Sequence, residues 1–263
     1  MPSNHPTTKL INLALQGGGA HGAYSWGVLD RLLEEKDLTI EGISGTSAGA
    51  MNAAMLIGGY MKNGVDGAKE YLETFWRRIS EAGALGPLHK NPVERLISGW
   101  NMDSSLSYHW YDFLSRVFSP YELNPLNLNP MRYILDDMLD YDALKACSLI
   151  KLFVAATHVE SGQARVFGCD EITTDVLLGS ACIPFLFQAI EIDGEHYWDG
   201  GYMGNPAIWP LIYHCRSEDV VLVQINPIRN EQLPRSAGEI INRLNEITFN
   251  SSLIAEIRAI DFV

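Results

Sequence analysis

The chain has 263 residues, of which 47% are hydrophobic and 10% aromatic, enough for one substantial core and most simply a single domain. Its 19 basic and 32 acidic residues leave a net charge of −13, a surface that repels phosphate backbones and argues against nucleic acid as a partner and against simple electrostatic docking on anionic lipid. Cys147, Cys169, Cys182 and Cys215 form no C-x-x-C pair, and Met1 to Leu10 holds no long apolar stretch of a signal peptide, so the chain reads as a cytoplasmic protein with reduced thiols. Export without a signal peptide remains open.

In chain order, Leu10–Leu15 reads as a buried first strand, followed by the loop Gly17-Gly18-Gly19-Ala20-His21-Gly22 and a helix over Ala23–Glu35 with Trp26, Leu29, Leu32 and Leu33 on one face. Leu38-Thr39-Ile40 begins a second strand that runs through Glu41-Gly42-Ile43-Ser44 into Gly45-Thr46-Ser47-Ala48-Gly49, and Ala50–Met61 continues as an apolar helix. Gly42 to Met61 carries no charge but is interrupted by Gly, Ser, Thr and Asn, so its continuous apolar part falls well short of the ~20 residues of a membrane span. A further amphipathic helix is expected over Gly67–Ile79.

Residues 82–130 change character, with five prolines and an aromatic cluster at Tyr108, Trp110, Tyr111, Phe113, Phe118 and Tyr121. This segment reads as a helical insertion, first as a satellite core against the sheet and second as an apolar wall or lid over a lipid site. Regular structure resumes with a helix at Met131–Leu139, a strand at Ile150–Thr157 that Ala164–Phe167 pairs across Ser161-Gly162, and a helix at Thr173–Ala181. Ala189–Ile192 and His196–Trp198 flank Asp193-Gly194, a hairpin turn signal. Asp219–Ile225 is a last strand, and Ser236–Val263 reads as a long helix without a terminator, the pattern expected of a chain cut short or processed from something longer. Strands alternating with helices imply an α/β fold, a sandwich with a largely parallel central sheet.

Three segments carry chemistry. Gly45-Thr46-Ser47-Ala48-Gly49 has the G-x-S-x-G spacing of a nucleophile elbow, in which a strand, a tight turn and a helix lift a serine to the apex. The glycine loop supplies several backbone N–H groups able to converge on one spot, which suits an oxyanion hole. It suits a pyrophosphate equally well: Gly17, Gly19 and Gly22 satisfy G-x-G-x-x-G, and Glu41 stands at about the ~20-residue separation of a ribose-binding acid. A dinucleotide-binding protein is therefore the rival reading. His214 is the last histidine available to a Ser-acid-His order, and His196 precedes Trp198-Asp199-Gly200-Gly201, a tight turn bearing a carboxylate. No His, Asp or Glu run has metal-ligand spacing, so no metal and no cofactor is expected.

Taken in order, Gly17 to Gly22, Gly45 to Gly49 and Asp199-Gly200-Gly201 resemble the patatin-like phospholipase family, over about residues 10 to 213. Gly27-Val28-Leu29 and Ser180-Ala181-Cys182-Ile183-Pro184-Phe185 match as well. The resemblance implies a three-layer patatin-like sandwich in one domain spanning 1–263, its core motifs in 10–213 and a C-terminal strand and helix in 219–263. It implies a Ser-Asp dyad, with Ser47 as nucleophile and Asp199 as base, and no histidine between them. The N–H groups of Gly17, Gly18 and Gly19 would form the oxyanion hole, with Ala48 as a candidate addition and Gly22, Gly45, Gly49, Gly200 and Gly201 as supporting motif positions. The implied function is a lipid acyl hydrolase of the phospholipase A or lysophospholipase kind, acting on a lipid or other ester at a membrane surface through an acyl-enzyme. An esterase or depolymerase of hydroxy-acid esters would use the same dyad. One departure is His21, where the family often has Arg or Lys, which puts preference for an anionic head group in doubt.

Overall fold

The computed structural model of the protein describes residues 8–85 and 118–261. Seven strands form one sheet: β1 (Lys9–Leu15), β2 (Leu38–Thr46), β3 (Lys151–His158), β4 (Ala164–Phe167), β5 (Ile190–Ile192), β6 (Glu195–Asp199) and β7 (Val220–Val223). The helices are α1 (Gly22–Leu32), α2 (Ala48–Leu85), α3 (Pro120–Leu123), α4 (Pro130–Met138), α5 (Tyr141–Ala146), α6 (Thr174–Ser180), α7 (Trp209–His214) and α8 (Ala237–Asp261).

β7, β1, β2 and β3 lie side by side and parallel. The reason is visible in β1, where Ile11 to Leu15 are all buried: a strand covered on both faces reads as an unbroken apolar run. Successive side chains serve opposite layers. Leu13 and Leu15 join the larger core under α2, α4 and α6, while Ala14 joins a smaller one with Ile208, just before α7, Leu211 of α7 and Leu253 of α8. The result is an α/β sandwich of helices on both faces of a mostly parallel sheet, as the alternation of elements implies.

β3 has three neighbours and only two edges. At Val154 and Ala155 it pairs with β2 and β4 together, and at Ala156 and Thr157 with β4 and β6 together. β4 therefore holds one edge throughout. On the other edge β2 ends at Thr46↔Ala155 and β6 takes over at Asp199↔Ala156. The hairpin β5–β6 that makes this handover turns at Asp193-Gly194, where both residues have positive φ (53° and 84°), the mirror-image turn that matches strand twist.

Two helices were expected over Ala50–Met61 and Gly67–Ile79. They form one run, α2, broken only at Asn63 and Gly64 by non-helical backbone. Its first turns, Ala50 to Ile57, are buried on every side, and the one polar residue among them, Asn52, is satisfied by donating to Gly22 O (2.9 Å) and accepting from the Trp76 indole (2.8 Å). Most of the expected insertion, with Tyr108, Trp110, Tyr111 and Phe113, lies outside the described residues. The four cysteines are free, and Cys182 alone among them is fully buried.

The junction of β2 and α2 has no room for side chains. A Cβ at Gly49 would lie 2.1 Å from the Leu15 carbonyl oxygen, and one at Gly45 would lie 2.7 Å from Gly49 backbone. Gly49→Ala should therefore destabilise the fold by about 2 kcal/mol or more, despite the better helix propensity of alanine, as read from chemical denaturation.

Candidate active site

Leu15 and Gly45 are register partners in neighbouring parallel strands, so the glycine loop and the elbow leave the sheet at the same end. The handover on β3 brings the end of β6 to that point. Thr46 and Asp199 stand opposite consecutive β3 residues, which places Ser47 and Asp199 side by side although 152 positions separate them in the chain (199 − 47 = 152).

Ser47 has φ 53°, left-handed backbone that a non-glycine residue rarely adopts. It is held there by its N–H, which donates to Ser180 Oγ (2.9 Å), while the Ser180 hydroxyl donates to Ala155 O (2.6 Å). Ala48 opens α2 behind it, and the first turn of that helix carries no acid, so the positive end of its dipole is left uncompensated at the serine. Asp199 is fixed from three directions. Its N–H donates to Cys182 O (2.8 Å), its carbonyl accepts from Thr157 Oγ1 (2.8 Å) and its carboxylate accepts from the Gly201 N–H (2.7 Å). Gly200 lets the chain pass against Ala155 O.

The Asp199 side chain is buried and, among the described residues, no cation neutralises it. Burial pushes its carboxyl up to about 6, against the Gly201 N–H and the Ser47 hydroxyl, both of which favour the charged form. A carboxylate raised this way is a better proton acceptor than an ordinary aspartate.

Gly17 is buried, Gly18 half-buried and Gly19 exposed. The expectation that all three present N–H groups to a substrate meets a geometric fact: the Gly17 N–H already donates to Asn205 Oδ1 (2.6 Å). Its carbonyl accepts from Asn226 Nδ2 (2.6 Å). The N–H groups of Gly18, Gly19 and Ala48 donate to nothing among the described residues, which leaves these as the free donors. Gly22 starts α1 in close contact with Ala48, and His21 is exposed beside the loop.

Several residues that hold this loop carry no sequence motif. Gln16, fully buried, donates to Asn250 Oδ1 on α8 (2.8 Å) and accepts from the N–H groups of Ile225 (2.8 Å) and Asn226 (2.7 Å). Asn205 is fully buried as well. A buried Asn or Gln is a weak signal in itself; its only trace in sequence is a polar residue inside an apolar pattern.

Other candidates fall away from the site. Glu41 lies on β2 opposite the Ile11/Asn12 irregularity of β1, about 13 Å below the end of β1 from which the glycine loop leaves, at ~3.3 Å per residue. Burial would raise its carboxyl, but the N–H groups of Arg216 and Ser217 and the side chains of Arg216 and Lys151 outweigh this and hold it at about 2. It is occupied by that cluster and cannot reach a ribose bound at Gly17–Gly22. His214 stacks on Phe153 (centroids 5.6 Å apart), and His196 faces Glu160 (2.7 Å); neither hydrogen-bonds Ser47 or Asp199. Sequence spacing showed no metal-ligand cluster, yet the fold brings His158, Glu160 and Glu195 together, with ligand atoms within 4.8 Å of one another.

An apolar groove of about 670 Å³ is lined by Phe118, Tyr121, Phe185, Trp198, Tyr202 and Met203 among others; it includes the residue before Asp199, while Ser47 and Asp199 are not in its lining. Phe185 is 65% and Tyr121 57% exposed at its mouth.

A family model described as "Patatin-like phospholipase" matches residues 13–212. The chain belongs to the patatin-like phospholipase family. Membership supports lipid acyl hydrolysis as the general activity. Two solved structures are similar to this patatin-like chain. VipD from Legionella pneumophila is 19% identical, with a TM-score of 0.42 over 82% of this chain and 49% of its own. The heterodimeric ExoU–SpcU complex from the type III secretion system of Pseudomonas aeruginosa is 18% identical, with a TM-score of 0.31 over 96% of this chain and 52% of its own. The chain thus spans about half the length of these structures. No curated protein matches the sequence. Among the described residues, no helix of this patatin-like fold is long and apolar enough to cross a membrane.

Two stability effects follow. A carboxyl raised from 3.8 to about 6 binds its proton better folded than unfolded, so stability falls as pH rises through that window and stays lower above it, by up to roughly 3 kcal/mol. Asp199→Asn should therefore stabilise the protein by about 1–3 kcal/mol near pH ~8 and flatten the loss between pH ~4 and ~6, as urea titrations at several pH values would read. Asn205→Ala should cost about 2 kcal/mol by leaving the buried Gly17 N–H without an acceptor, which thermal unfolding would report.

Proposed function

We propose that the protein is a lipid acyl hydrolase of the phospholipase A or lysophospholipase type, acting through Ser47 and Asp199. The observation that carries this reading is the buried Asp199 carboxylate beside the Ser47 hydroxyl, with no cation on it and no histidine between the two among the described residues.

Asp199 takes the Ser47 proton as Oγ attacks the ester carbonyl. The carbonyl oxygen becomes an oxyanion, for which the N–H groups of Gly18 and Gly19, and of Ala48 at the head of α2, are the donors. The C–O bond then breaks and the leaving alcohol or lysolipid receives the proton from Asp199. Water attacks the acyl-serine in turn, giving its proton to Asp199, and release of the fatty acid returns the proton to Ser47. Each oxyanion-hole donor of this kind is worth about 3–4 kcal/mol in acyl-transfer enzymes. The apolar groove, lined by Trp198 and Tyr202 on either side of Asp199 in the chain, supports an acyl chain as the apolar part of the substrate. The exposed aromatics at its mouth support encounter with substrate at a lipid surface by apolar contact, since a net charge of −13 opposes attraction to anionic lipid.

Hydrolysis of a panel of phospholipids, lysophospholipids, triglycerides and short esters tests the reading. Ser47→Ala and Asp199→Asn should each lower kcat by about 10³-fold or more while His214→Ala leaves it within about twofold. Activity retained in Ser47→Ala, or lost only in His214→Ala, would overturn the dyad. Because Asp199 acts as its carboxylate, kcat should rise with pH through about 6 and then level, with activity lost on the acid side.

A further inference from the structure

The turn after β3 and the start of β6 meet in a cluster that the proposed hydrolysis does not use. His158 Nε2 lies 2.5 Å from Glu195 Oε2 and 3.4 Å from Glu160 Oε2. His196 Nδ1 lies 2.7 Å from Glu160 Oε1. Each segment offers one imidazole and one carboxylate, and each imidazole reaches a carboxylate of the opposite segment.

Two carboxylates drawn this close repel one another unless a positive charge stands between them. Ligand atoms of His158, Glu160 and Glu195 already lie within 4.8 Å of one another. A zinc ion bonded at about 2.0–2.2 Å to nitrogen and carboxylate oxygen needs its ligands roughly 3–4 Å apart, so side-chain adjustments of about an ångström suffice. Mixed imidazole and carboxylate donors suit zinc, whereas calcium and magnesium prefer oxygen alone. Were Nε2 to bind the ion, Ser161 Oγ, 2.8 Å from His158 Nδ1, would be at hand to accept the ring's other proton.

We propose that His158, Glu160 and Glu195 bind a zinc ion at the edge of the apolar groove, with water in the fourth position. In the metal-free form the His158 proton sits on Nε2 and is donated to Glu195, and Nδ1 accepts from the Ser161 N–H (3.2 Å). Zinc takes the Nε2 lone pair, and the proton moves to Nδ1 and is donated to Ser161 Oγ. The bound ion ties the turn after β3 to β6, two segments that also line the groove at Gly162 and Trp198. The site is independent of the hydrolase reading, since none of its ligands touches Ser47 or Asp199.

Calorimetry on protein stripped with a chelator, titrated with zinc chloride and separately with magnesium and calcium chloride, tests the proposal. We expect one saturable zinc site, binding at least about 100-fold tighter than either of the others, and at least about tenfold weaker in His158→Ala and in Glu195→Gln. Ser161→Ala should weaken it several-fold. Circular dichroism and the metal-free melting temperature identify variants that remain folded. The absence of saturable zinc binding, or an affinity unchanged in folded His158→Ala and Glu195→Gln, as when the cysteines hold the ion, overturns it. Hydrolytic activity enters neither outcome.

Discussion

A strand has two edges, and β3 must serve three partners. Everything that makes this molecule a candidate enzyme follows from how that conflict is resolved. Because β4 keeps one edge, β2 and β6 share the other end to end, and the handover falls between Ala155 and Ala156. β2 stops there by turning into the elbow, and β6 arrives there with Asp199. The two side chains meet through backbone pairing, without any loop that needs to be ordered for the purpose. A placement set by ladder hydrogen bonds is rigid, and rigidity is what a proton transfer over hydrogen-bond distance requires.

The same resolution explains the electrostatics. The meeting point lies inside the sheet, so the carboxylate that arrives is stripped of water. Only the Gly201 N–H and the serine compensate it, and that is too little to keep its pKa ordinary. The fold thus tolerates a buried charge and a left-handed serine within a few ångströms of each other. Neither helps folding; both are sustained by the apolar packing of α2 and by the ladder on either side. Local strain kept in place by surrounding order is a common mark of functional sites.

What could be read in the sequence divides along this line. Strands β1 to β3, the helical faces and the hairpin at Asp193-Gly194 were legible because periodicity and turn chemistry are local. Ser47 and Asp199 were legible as motif positions, and the family is recovered from the order of the motifs. The β2-to-β6 handover was not, since it depends on register between strands that no local pattern encodes. The clamp on the glycine loop was hidden for the same reason: Gly17 and Asn205 are 188 positions apart, and Gln16 and Asn250 are 234 apart. Glu41 shows the converse error. Counting about 20 residues from a glycine loop located an acid, but the parallel register puts it toward the far end of β2, where Arg216, Ser217 and Lys151 occupy it.

The hidden clamp also says which donors the site can offer. A glycine whose N–H and C=O are both bonded to amide side chains, one buried and one half-buried, cannot turn toward a ligand, and Gly17 is in that position. Its immobility fixes the direction in which the next peptides leave, and there the restraint changes: Gly18 is half-buried, Gly19 exposed, and their N–H groups are unclaimed among the described residues. Since Asn250 on α8 is bonded to Gln16, immediately before the loop, the C-terminal helix bears on the aim of those donors as well as on the core. A glycine-rich segment is usually read as a flexible one; here the first glycine is anchored by side chains from two distant parts of the chain, Asn205 and Asn226, so that the next two can be free yet correctly aimed.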